Sequence, residues 1–67
     1  MQRKADIVVT DHYSLVLVLP VSPEAKAWIE EHVDPEAQWF GRSLVVEPRY
    51  VEAILDGMSR DGLVLAA

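Results

Sequence analysis

Leu15-Val16-Leu17-Val18-Leu19 is an unbroken aliphatic run between Ser14 and Pro20. Five residues are too few for a helix, and Val is frequent, so the run reads as a strand buried on both faces. Just upstream, Ile7-Val8-Val9-Thr10 is β-branched and reads as a strand of its own. Asp11 and Ser14 are turn formers between the two. Residues 6–19 are therefore expected to form a β-hairpin, with a glycine-free connection longer than two residues.

The remaining elements follow from this hairpin. Ser22-Pro23-Glu24 carries a capping hydroxyl, a proline suited to the first helical position and an acid for the positive end of the helix dipole. Ala25, Trp28, Ile29 and His32 or Val33 then recur at helical spacing, and Pro35 ends the helix near Val33. Asp34 to Arg42 reads as a connection holding Trp39-Phe40-Gly41. Ser43-Leu44-Val45-Val46 reads as a strand. Pro48 opens a second helix with the apolar stripe Val51, Ile54, Leu55 and Met58. Gly57 inside that helix costs about 1 kcal/mol relative to Ala, which points to close packing or an early end. Asp56 and Arg60 stand i, i+4 in the favourable order, Gly62 suits the position past the helix end, and Leu63-Val64-Leu65 reads as a last strand. The order β-β-α-β-α-β predicts an α+β two-layer sandwich, a small mixed sheet with both helices on one face. Trp28, Ile29, Val51, Ile54 and Leu55 are the expected contacts of that face.

The chain has 67 residues, no cysteine, a formal charge of −5 and 51% hydrophobic residues. Residues 1–67 are expected to form a single domain. A chain this short buries only about 60% of its unfolded surface, so a high apolar content implies a dense core or burial against another chain. The missing cysteines exclude a disulfide scaffold and a thiolate metal site. The acidic balance argues against nucleic acid and anionic membrane as partners. No apolar run is long enough for a signal-peptide core or a membrane span, and a soluble cytoplasmic protein is expected.

Gln38-Trp39-Phe40-Gly41-Arg42 through Val46-Glu47-Pro48-Arg49-Tyr50 combines an aromatic-Gly turn, an aliphatic strand and a Glu-x-Arg-Tyr helix start. Residues 38–50 in this respect resemble short uncharacterised bacterial or prophage-encoded proteins. The resemblance implies a bacterial or phage origin and no particular activity.

No Gly-x-Ser-x-Gly, phosphate loop or dinucleotide fingerprint is present, and the acids fall at positions expected to face water. An enzyme is not expected, nor any cofactor. His12 beside Asp11 and His32 beside Glu31 lack a recurring ligand spacing, so no metal site is expected. Glu24, Glu30, Glu31, Asp34 and Glu36, relieved only by Lys26, form an acidic run. It reads as a solvated surface or as a contact for a basic protein. At least one of Trp39 and Phe40 is expected to cover one end of the core, and the other, where exposed beside Arg42, is a candidate partner contact. Stacking of Trp39 on a nucleic acid base with Arg42 or Arg49 on phosphate is the least favoured binding mode, given the charge.

Strand side chains alternate between faces. Placing Leu15, Leu17 and Leu19 toward the helices leaves Val8, Val16, Val18, Val45 and Val64 on the other side. An open face of this kind marks an association surface, and a second copy is its simplest cover. The leading expectation is a non-enzymatic interaction module acting as a homodimer through the sheet face. The alternative is an acidic, phage-derived inhibitor that occupies a basic surface of a nucleic-acid-binding host protein.

Overall fold

The computed structural model describes residues 5–34 and 36–66. Its elements are β1 (Ile7–His12), β2 (Leu15–Pro20), α1 (Pro23–His32), β3 (Trp39–Phe40), β4 (Ser43–Val46), α2 (Pro48–Arg60) and β5 (Leu65–Ala66). The five strands form one sheet in the order β3-β4-β2-β1-β5. β5 runs parallel to β1 and every other neighbouring pair is antiparallel. The fold is α+β with a small mixed sheet, as the element pattern predicts. The aliphatic run lies at its centre, as β2. Two features differ from expectation. Trp39-Phe40 is a short edge strand rather than part of a connection, and the last strand begins at Leu65 rather than Leu63.

Both hairpins close through two-residue turns. His12 pairs with Leu15 across Tyr13-Ser14, and Phe40 pairs with Ser43 across Gly41-Arg42. The first connection is thus shorter than its composition suggests. In each turn the first residue has positive φ, +58° at Tyr13 and +60° at Gly41. The right-handed twist of paired strands selects such turns. Glycine adopts this conformation freely, whereas a side chain there costs roughly 1–2 kcal/mol.

α1 begins as the sequence indicates, with the Ser22 hydroxyl accepting from the Ala25 N–H at 3.1 Å. It ends at His32, with extended Val33 as its C-cap. Pro35, expected to stop it, lies outside the described residues. In α2, Pro48 occupies the first turn and Arg60 pairs with Asp56 at 3.1 Å. Ile29 and Ala25 from α1 and Met58 from α2 are buried on Ile7, Val16, Val18, Leu44 and Val46 of the sheet. Trp28, Val51, Ile54 and Leu55 pack against this cluster half-buried, as expected of them.

The helices meet at Trp28. A Cβ placed on Gly57 would stand 3.0 Å from Trp28 Cζ2, so the glycine is where the indole lies against α2. The Trp28 indole N–H donates to Asp61 Oδ2 at 2.6 Å. His32, one turn further along α1, stacks on the Trp28 ring, with centroids 4.2 Å apart and planes at 13°. The chain ends are joined by Asp6. Its N–H donates to Val64 O at 2.8 Å, and its carboxylate accepts from the Val64 N–H at 2.8 Å. Its carbonyl accepts from the Val21 N–H at 2.8 Å, which also fixes the passage from β2 into α1.

Two outcomes test this packing. Gly57→Ala is expected to lower the melting temperature, although Ala is the better helix former by about 1 kcal/mol. In a Trp28→Ala background, where no ring opposes the new methyl, the same change is expected to raise it. Equal effects in the two backgrounds would remove the Gly57–Trp28 contact from the account. At the hairpin tip, Tyr13→Gly is expected to stabilise the chain by about 1 kcal/mol in urea unfolding, by relieving the left-handed backbone. A loss of stability there would show that the Tyr13 ring contributes more than its conformation costs.

Candidate functional site

The register of β2 assigns the two faces of the sheet. Val16 pairs with Val46 and Val18 with Leu44, and all four are buried beneath the helices. Leu17 pairs with Val45 on one side and Thr10 on the other, while Leu19 pairs with Val8. These residues, with Leu15 opposite His12, point away from the helices. The expected orientation of β2 is therefore reversed. Val16 and Val18 are core residues, 7% and 0% exposed, and take no part in an association surface. Leu15, Leu17 and Leu19 occupy the open face in their place. Val8 and Val45 are on that face as expected, half-buried and outside the core cluster. Val64 precedes β5 and is held through its backbone to Asp6.

The reversal has a local cause. The two-residue turn sets Thr10 against Leu17 and His12 against Leu15, so the polar alternates of β1 share a face with the leucines. Ile7 and Val9 then share a face with Pro20 and Val18. The signal was present in Thr10 and His12, which mark the solvated side of β1; a longer connection in the expected hairpin hid it.

The open face is apolar and carries no charged strand residue. Its only polar strand side chains are Thr10, His12 and Ser43, the last paired with Phe40. Phe40 is 71% exposed at the β3 margin. His12, Leu15, Leu17, Gln38, Trp39, Phe40 and Val45 line a groove of about 180 Å³ across this surface. Tyr13, 95% exposed, sets its ring edge-on to His12 at 5.5 Å.

Of the remaining candidates, Trp39 borders this groove and the others do not line it. Trp39 shares the register position of Leu44, on the helix side of the sheet, and is half-exposed beside α1. With Lys26, Glu30, Arg42 and Pro20 it lines a second depression, of about 400 Å³. Lys26 is the residue of this group that sequence reasoning passed over, and its i, i+4 relation to Glu30 was the available sign. Glu24, Glu31 and Asp34 are exposed along α1 and its end, separate from Glu30's neighbourhood of cations. Asp34 accepts from the Glu36 N–H at 2.8 Å and so shapes the chain after α1. Arg49 is bound to Glu47 at 3.0 Å and lies over the Tyr50 ring. His32 bonds the Trp28 carbonyl at 2.9 Å, a helix-end use of the ring. Among the described residues no three His, Asp or Glu side chains stand together as metal ligands. No described helix is long and apolar enough to cross a membrane.

Comparison of the chain with protein-family models, with curated proteins and with solved structures finds no match.

Proposed function

We propose that this chain is a small non-enzymatic interaction module that pairs with a second copy of itself through the open face of the sheet. The observation that carries the reading is the aliphatic, charge-free surface of Leu15, Leu17, Leu19, Val8 and Val45, on the side of the central strands that no helix covers. A solvated antiparallel sheet alternates apolar with polar residues, whereas β2 is apolar on both sides. Unbroken apolar strands belong in sheets covered on both faces, and one of the two covers here lies within the chain.

Charge favours a second copy as the other cover. A two-fold contact sets each patch against itself, so any charge on it would meet a like charge. The chain has a net charge of −5, yet the strand residues of this face contribute none of it. A basic partner would need the acids at the contact, and they stand on α1, α2, the connections and, as Asp11, the helix side of β1 instead. Area is also consistent. With strands about 4.8 Å apart and a rise of about 3.3 Å per residue, two strands of six residues, one of four and two of two give this sheet a projected face of roughly 300 Å². Side-chain relief and the exposed rings of Phe40 and Tyr13 extend it toward the about 800 Å² per partner of a standard interface.

Light scattering with paired variants tests the proposal. The wild type is expected at twice its 7.5 kDa mass at high micromolar concentration. Leu17→Lys should remain folded and run as a monomer, while Val18→Lys should unfold, because Val18 is fully buried beneath the helices. A wild-type monomer, or a Leu17→Lys dimer of unchanged affinity, would overturn the sheet-face dimer.

A further inference from the structure

The cations of this chain are unequally used. Of its six Lys and Arg residues, Arg3 and Lys4 lie outside the described residues. Arg49 and Arg60 are each paired with an acid, at 3.0 and 3.1 Å. Lys26 and Arg42 form no ion pair among the described residues, and both line the depression between α1 and β3. Glu30 is one helical turn beyond Lys26 but in the less favourable order, and it does not close on the lysine. Trp39, 45% exposed, lines the same depression. In a protein of net charge −5, the two cations that form no ion pair among the described residues thus line the same depression as an accessible indole.

We propose that this depression binds a mononucleotide, with the base stacked on Trp39 and the phosphate held by Lys26 and Arg42. Each lining group has a use in that ligand. An exposed indole offers a stacking face, and base–aromatic stacking suits any base. Arg42 presents a planar fork of donors and Lys26 a mobile point charge, and both are phosphate ligands. Glu30 is an acceptor, and the amino group of a base or a ribose hydroxyl supplies the donor it needs. Simpler anions match less of the site: inorganic phosphate has no use for Trp39 and is opposed by Glu30. The volume, about 400 Å³, falls within the roughly 300–1,000 Å³ of small-molecule sites. A longer nucleic acid strand is disfavoured, because a chain of net charge −5 repels the phosphates that extend beyond the site.

Titration of the ¹⁵N-labelled full chain with AMP, adenosine, inorganic phosphate and a short single-stranded oligonucleotide tests this. AMP is expected to shift the Trp39 indole and the Lys26 and Arg42 amides in a saturable way. Its affinity should exceed that of adenosine and of phosphate by tenfold or more. Trp39→Ala and the double change Lys26→Ala with Arg42→Ala should each weaken AMP binding at least tenfold. Because β3 is an edge strand, folding of each variant is checked by its circular dichroism. No saturable shift with 10 mM AMP on the order of a hundredfold excess would overturn the proposal, as would equal affinity for phosphate alone. An oligonucleotide that binds more tightly than AMP would overturn it in favour of a strand-binding surface. If the variants do not fold, AMP-induced shifts in the wild type that map away from this depression would also sink it.

Discussion

The orientation of β2 is the constraint on which the rest of the molecule depends. It is the third of five strands, and its side chains alternate between a helix-covered face and an open one. A slip of one residue would exchange every side chain between the two. The two-residue turn at Tyr13-Ser14 prevents that slip by pairing His12 with Leu15. With Val16 and Val18 then directed at the helices, short β-branched side chains meet Ile29 and Met58, and the longer leucines project from the other side.

A domain this small has little core to spare, so its outer connections matter to its integrity. Asp6 binds the start of β1 to the approach of β5 and to the exit of β2, joining segments that are 58 residues apart in the chain. The Trp28 indole, against Gly57 and bonded to Asp61, joins the helices directly. Both contacts use one polar group to orient an apolar one. No buried polar side chain among the described residues is left without a partner.

The two proposed surfaces occupy different chemical settings. The open sheet face has aliphatic bulk and no charge, which suits contact with an identical patch. The depression beside α1 has an aromatic face, two cations and one acid, which suits a ligand with both a ring and an anionic group. Of the acidic residues of α1 and its end, Glu30 lines the depression, while Glu24, Glu31 and Asp34 line neither surface.

Local chemistry was sufficient for the elements of this fold. Ser22-Pro23 and Pro48 announce the helix starts, Gly57 announces close packing, and β-branched runs announce three strands, because each effect acts within a few residues of its cause. The α+β class followed from their order. Trp39-Phe40 was not legible as a strand, since two residues have no period and owe their state to pairing with Ser43 and Leu44. The facing of β2 was not legible either. Leu15 to Leu19 are apolar at every position, so alternation gives no contrast within the run, and side-chain size proved the wrong guide. Thus the sequence by itself determined every element but β3, the central place of the aliphatic run and its excess of apolar surface over what two short helices can cover. Only the tertiary structure decided which half of that run is core and that Lys26, Arg42 and Trp39 share one depression, because both depend on register and on contacts between segments distant in the chain.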